Sequence, residues 1–274
     1  MRTVIRFLCV WIMCAIMVLP GLAEDGNLTI YYVDVGQADS TIVMCDDDVL
    51  MIDGGNVADS QFIFSMLRNT LGIQHIDYMI ATHPHEDHVG GLAAALNACS
   101  VGILFTPVLE YDTKAFQSMM KYARAQETEI IIPKHGDSFM IGMARVDILG
   151  PQKEYSNTND LSIVCKITYG QTTFLFGGDA EWEAEHDLVK SGVDLRADVL
   201  KVNHHGSDTS SSYVYLRSVI PSYAVISVGA NNSYGHPSEN VLSRLKDAGT
   251  VVMRTDQLGT IKCISDGENI AFEY

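Results

Sequence analysis

Apolar positions along the chain change period several times, and those changes outline its elements. Leu28–Val35, Ser40–Cys45 and Val49–Asp53 read as strands, the last two joined by the acidic turn Asp46-Asp47-Asp48, a hairpin signal. From Ala58 to Leu71 the spacing becomes helical, with Phe62, Ile63 and Met66 on the expected buried face. Ile76–Ala81 reads as a buried strand, and the Gly-Gly-Leu-Ala-Ala-Ala-Leu segment that follows Val89 reads as a helix. Further strands are predicted at Val101–Thr106, Glu129–Pro133, Ser138–Ile141, Ala144–Leu149, Leu161–Tyr169 and Gln171–Phe176. Val199–Val202, Ala224–Val228, Val251–Arg254, Thr260–Ser265 and Asn269–Glu273 complete the set. Helices are predicted at Thr113–Gln126, Glu181–Lys190, near Ser211–Ser218, and at Glu239–Ala248. Strands clustered in each half, with helices interposed, predict an α/β chain built as two sheets face to face with helices outside.

The N-terminus departs from this pattern. Arg2 and Arg6 flank an apolar run from Phe7 to Leu19, followed by Pro20-Gly-Leu-Ala23. A basic start, a short apolar centre, a helix breaker and small residues are the parts of a secretory signal, so residues 1–23 are expected to be a leader cleaved after Ala23. An uncleaved membrane anchor is the alternative, although the run falls short of a span of ~20 residues. Residues 24–274 are then expected to form one exported domain, free of the membrane once the leader is removed. With 47% hydrophobic residues it can bury a large core.

Export bears on the cysteines. Cys45, Cys99, Cys165 and Cys263 remain after the leader, with no C-x-x-C pair among them. Cys45, Cys165 and Cys263 fall in apolar strand-like runs, where a thiol acts as a small buried hydrophobe. Charge bears on partners. The chain carries 34 acids against 18 bases, a net −16, and losing Arg2 and Arg6 takes it to −18. Strong acidity repels polyanions, and no run of bases appears, so a stable nucleic-acid complex is not expected. A phosphodiesterase acting on small substrates is not excluded. Oligomeric state is not legible.

The densest chemistry lies at Thr82-His-Pro-His-Glu-Asp-His-Val-Gly-Gly-Leu92. Three of the chain's nine histidines and two carboxylates fall within six residues, just after a predicted strand. Pro84 keeps a helix from starting before it, so His83 and His85 sit on an irregular loop, with Asp87 and His88 at the first turn of the following helix. Such a loop can aim side chains at one point. Imidazoles and carboxylates are the ligands that suit zinc and similar divalent ions. Asp179 follows another apolar strand and Gly177-Gly178, where it could be a ligand or the cap of the next helix. His204 and His205 follow a third strand, and His236 a fourth.

His83-x-His85-x-Asp87-His88 resembles the signature of the metallo-β-lactamase fold superfamily. Asp34-Val-Gly-Gln-Ala-Asp-Ser40, Ile52-Asp-Gly-Gly55, Leu175-Phe-Gly-Gly-Asp-Ala180, Lys201-Val-Asn-His-His-Gly-Ser207 and Gly235-His-Pro-Ser238 narrow the likeness. Together they are similar to the metallo-hydrolase domain of the competence protein ComEC and its stand-alone relatives, from about Leu28 to the C-terminus. The resemblance implies an αββα sandwich and a hydrolase with two divalent ions, zinc or manganese. It implies His83 and His85 on one ion, Asp87 and His88 on the other, and Asp179 bridging them. The last ligand of the second ion falls to one of the His204-His205 pair, with the family pattern favouring His204. His205 and Ser207 would then line the site. The superfamily's further histidine is missing from Ser156-Asn-Thr-Asn-Asp160, so Asn159 is expected to approach the first ion, directly or through water. Asp34, Gln37, Asp39 and Asp53 are expected to orient ligands and hold loops, and His236 to donate to a substrate oxygen. The implied reaction is ester hydrolysis by a metal-bound hydroxide, tilted towards phosphodiesters of small molecules or nucleic acid. Because the fold hosts many hydrolyses, non-nucleotide esters such as choline phosphodiesters or lactones stay open, as does a non-catalytic metal protein.

Overall fold

The computed structural model describes residues 26–274; the expected leader lies outside the described residues. Strands β1 (Leu28–Tyr32), β2 (Ser40–Cys45) and β3 (Asp48–Gly54) form an antiparallel meander. After helix α1 (Ser60–Ser65), β4 (His75–Ile80) adds parallel to β3. Short helices α2 (Glu86–Val89) and α3 (Leu92–Ala98) lead to β5 (Ser100–Phe105), and α4 (Lys114–Ala125) to β6 (Glu129–Ile131). The chain then enters a second sheet through β7 (Ser138–Ile141), β8 (Ala144–Gly150), β9 (Val164–Tyr169) and β10 (Thr172–Phe176). Helix α5 (Trp182–Ser191), β11 (Val199–Lys201), α6 (Tyr213–Val219), β12 (Tyr223–Ile226), α7 (Glu239–Asp247) and β13 (Val251–Arg254) follow. One turn of helix, α8 (Thr255–Leu258), returns the chain to the first sheet as β14 (Ile261–Ser265) and β15 (Ile270–Glu273).

The sheets have the orders β15-β14-β1-β2-β3-β4-β5-β6 and β13-β12-β11-β10-β9-β8-β7. Strand alternation divides the apolar residues among three clusters. Ile30, Val43, Leu50, Ile52 and Ile80 from one sheet meet Ile148, Cys165, Ile167, Phe174, Phe176 and Val225 from the other. The opposite faces of the same strands send Ile42, Met51, Ile76 and Met79 outward against α1, α3 and α4. Likewise Leu175, Leu200 and Ala224 pack against α5, α6 and α7. The result is the expected αββα sandwich. Among the described residues, Cys45, Cys99, Cys165 and Cys263 are buried and unpaired, and no helix is long and apolar enough to cross a membrane.

Two predicted helices differ in detail. The Ala58–Leu71 helix is a 3₁₀ turn at Val57–Asp59, α1, and a π turn at Met66–Thr70. Ile63, Met66 and Leu67, spaced i, i+3, i+4, form its buried face, whereas Phe62 stands beside that stripe and is 45% exposed. The helix expected from Val89 is interrupted at Gly90-Gly91. There the chain crosses Gly54 and Asn56–Val57 so closely that a Cβ on either glycine would collide with backbone. That crossing seats α2, and with it Asp87 and His88, against the end of β3.

Candidate metal centre

Parallel pairing of β3 with β4, of β10 with β11, and of β11 with β12 turns the carboxyl ends of these strands towards one edge of the sandwich. The residues leaving those ends form the site. At the end of β3, Asp53 accepts Thr82 N at 2.8 Å and Thr82 Oγ1 at 2.7 Å, clamping the exit of β4. Its Oδ2 also lies 2.8 Å from His88 Nδ1. This contact turns His88 Nε2 the other way, to 3.2 Å from Asp179 Oδ1.

Asp179 is delivered by the Gly177-Gly178 turn. Gly178 has φ +53°, and a Cβ there would strike Ser162 Oγ and Thr82. Asp179 N donates to Ser162 Oγ at 3.0 Å. Asp179 does not cap the next helix. The N-cap of α5 is Glu181, and Asp160 Oδ1 accepts Glu181 N at 2.8 Å.

After β11 the backbone of both His204 and His205 is left-handed, with φ 49° and 51°. Such a conformation persists in non-glycine residues only where the surroundings enforce it. His204 N donates to Gly178 O at 3.0 Å, tying this loop to the Asp179 turn. Glu185, buried on α5, accepts Asn203 Nδ2 at 3.0 Å and Ser212 N at 2.9 Å, bracketing the loop from behind. His205 Nδ1 donates to Ser227 O at 3.0 Å and stands 3.3 Å from Asp39 Oδ1. Asp39 in turn is paired with the buried Lys201 at 2.8 Å.

The geometry reverses the expected division of the histidine pair. His205 Nε2, not His204, joins the second set: it lies 3.4 Å from Asp87 Oδ2 and 3.8 Å from Asp179 Oδ1. Donor atoms of Asp87, His88, Asp179 and His205 all fall within 4.8 Å of one another. His204 sits on the other side of Asp179, its Nε2 3.6 Å from Oδ2 and its Nδ1 3.1 Å from Glu181 Oε1. The first set comes together pairwise. His83 Nε2 is 3.0 Å from His85 Nδ1 and 3.7 Å from Asp179 Oδ2. In the segment that lacks the superfamily's further histidine, Asn159 Nδ2 donates to Glu181 Oε1 at 3.0 Å, and its Oδ1 is buried without a hydrogen-bond partner.

The remaining candidates hold loops. Asp34 Oδ1 accepts Gly36 N at 3.2 Å. Gln37 Oε1 accepts Gly229 N at 3.1 Å, and its Nε2 reaches His236 Nδ1 at 3.4 Å. Ser207 N closes the turn on His204 O at 2.7 Å, with its Oγ against Thr209 Oγ1. Sequence reasoning missed roles for Glu181, Glu185 and Lys201. A lysine within an apolar strand run was the legible signal for Lys201; nothing comparable marked the two glutamates.

Do these residues fit divalent ions? His88 Nε2, Asp179 Oδ1 and His205 Nε2 are buried, make no hydrogen bond, and belong to one cluster. Asp39, Asp53, Asp87 and Asp179 converge around the imidazoles of His88 and His205, with Lys201 as the permanent cation beside them. Buried carboxylates in such excess call for cations. The proton affinities say the same. Burial would raise the Asp179 carboxyl, but His88 and His205 outweigh it and hold it well below the usual range. Burial disfavours charge on His205, yet Asp39 and Asp179 push it up to about 10. His83, buried and beside His88, is held well below the ordinary imidazole value. The set fits: a metal ion would replace the protons whose binding these carboxylates favour on the imidazoles.

Residues 33–229 match the model of the metallo-β-lactamase superfamily. The chain is 30% identical over 273 residues to ComE operon protein 3 of Bacillus subtilis, covering 93% of this chain and 35% of that protein. It is 29% identical to competence protein ComA of Neisseria gonorrhoeae, covering 89% of this chain and 33% of that one. The chain thus spans about a third of the length of these relatives. Among solved structures, the metallo-β-lactamase fold protein YhfI of Bacillus subtilis superposes with a TM-score of 0.56 at 12% identity, covering 84% of this chain and 96% of that one. With the ligand-bearing loops gathered at one edge of an αββα sandwich, and a family match across most of its length, the chain belongs to the metallo-β-lactamase superfamily and is related there to competence proteins.

Proposed function

We propose that this protein is an exported hydrolase with two divalent ions, zinc or manganese, that cleaves phosphodiester bonds. The observation that carries the reading is the convergence of unpartnered, buried His88 Nε2, Asp179 Oδ1 and His205 Nε2 beside Asp87. Asp87, His88 and His205 would hold one ion and His83 with His85 the other, Asp179 lying between them. Two bound ions supply an acidified water and stabilise a leaving oxygen. The chain's own groups do the positioning. Asp53 and Asp39 fix the rings of His88 and His205, and Glu181 fixes His204 on the open side of Asp179. Gln37 Nε2 faces His236 Nδ1, which leaves the His236 proton on Nε2, available to a substrate oxygen. His236 is half-buried, and its pKa is lowered to about 4 by that burial and by His204, so it is neutral at physiological pH.

The choice of phosphodiester rests on likeness to the competence-protein group. The net charge of −16 favours a short substrate over a long polyanion, and it also supports the second reading, a non-nucleotide ester such as a choline phosphodiester. Metal-loaded protein is to be incubated with bis-p-nitrophenyl phosphate, single-stranded DNA and a lactone. Turnover of a phosphodiester that is lost in Asp87→Ala supports the proposal; turnover of the lactone alone retires it.

A further inference from the structure

The loop leaving β12, residues 229–237, is ordered by one side chain. Asn232 Oδ1 accepts Tyr234 N at 3.1 Å and His236 N at 3.0 Å, while its Nδ2 donates to Gly229 O and His236 O at 2.9 and 2.6 Å. What this bonding presents is an aromatic ring in water. Tyr234 is 71% exposed and lies over His236, with ring centroids 5.6 Å apart and planes 26° from parallel. His236 in turn meets the rings of His204 at 5.6 Å and His205 at 6.5 Å. A ring so exposed contributes little to the core.

We propose that Tyr234 and His236 form a stacking platform for the base of a nucleoside phosphodiester. The inference rests on the phosphodiesterase reading above and names the substrate class of that same site. The base lies on the free face of Tyr234, the sugar runs past His236, and the phosphoryl group reaches His204 and Asp179. Stacking on one tyrosine is tolerant of base identity, because every base offers a π face. A quaternary ammonium is the other ligand that aromatic rings attract, but it is held best between several rings. Among the described residues the ring partner of Tyr234 is His236, stacked beneath it, which makes a flat platform rather than a cage. The acidic surface disfavours a long strand and leaves a mononucleotide ester or the end of a strand as the fitting size.

Three substrates with one leaving group separate the cases: thymidine 5′-(p-nitrophenyl phosphate), methyl p-nitrophenyl phosphate and p-nitrophenyl phosphorylcholine. Each is assayed with the metal-loaded wild type, Tyr234→Ala and Tyr234→Phe. The proposal expects the wild type to prefer the thymidine ester. In Tyr234→Ala its kcat/KM relative to the methyl ester should fall about 5- to 100-fold, chiefly through KM, with Tyr234→Phe retaining the preference. Thermal melts confirm that the exposed position leaves the fold intact. Equal losses on the thymidine and methyl esters, no loss, or a preference for the choline ester that vanishes in Tyr234→Ala would overturn the platform while sparing the phosphodiesterase reading. Absence of turnover on all three would remove both.

Discussion

His204 and His205 are neighbours in the chain, yet their left-handed backbones send the two rings to opposite oxygens of Asp179. His205 reaches Oδ1, among Asp87 and His88; His204 reaches Oδ2 and is backed by Glu181. His205→Ala should therefore weaken binding of one ion by more than the roughly 10–100-fold expected for loss of a supporting partner. His204→Ala should stay within that range. Competition against a chromophoric chelator measures both, and equal losses would contradict the division. The sequence marked both histidines as site residues, because two imidazoles after an apolar strand are legible as chemistry. It could not tell them apart. Their difference lies in backbone dihedrals enforced by Gly178 O, Ser227 O and Glu185, contacts from strands and a helix distant in the chain. The bond from Asn159 to Glu181 was hidden for a related reason: Glu181 looked like an ordinary helix start.

Elements were the most legible level, since strand and helix periods are local. Breaks within elements were not, because they answer to packing. Gly91→Ala would push a methyl into the backbone of Gly54 and displace α2 and α3. A loss of about 3 kcal/mol is expected by denaturant unfolding. Phe62→Ser, on the exposed flank of α1, should change stability by no more than about 0.5 kcal/mol. Helix α5 carries a different kind of constraint. Burial raises the Glu185 carboxyl to about 7 despite its bonds to Ser212 and Ser211. The folded state therefore holds a proton that the unfolded chain has released, and Glu185 costs stability as pH rises from about 4.5 to 7. Over that interval the linkage amounts to roughly 3 kcal/mol. Glu185→Gln removes it, so the gap in unfolding free energy between wild type and variant should shift in the variant's favour from pH 5 to pH 8. A gap independent of pH would show that Glu185 is charged throughout.

Across the whole molecule, the two sheets meet over an apolar interior and are joined near the site by Lys201 of β11 and Asp39 ahead of β2. The pair is buried, so breaking it in Lys201→Met should cost about 3–5 kcal/mol by leaving Asp39 uncompensated. Unfolding at neutral pH without added metal would show this, and a cost below about 1 kcal/mol would place the pair in water. The layered architecture was legible because clustered strands and interposed helices admit few packings, and the family blocks fall at the strand ends that carry the site. The central claim is that these ends enclose two cations. Elemental analysis of wild-type and Asp179→Ala protein, dialysed side by side against zinc or manganese, tests it most directly. Two ions per wild-type chain and fewer than one per variant chain are predicted; the same metal content in both, or none in the wild type, would contradict it.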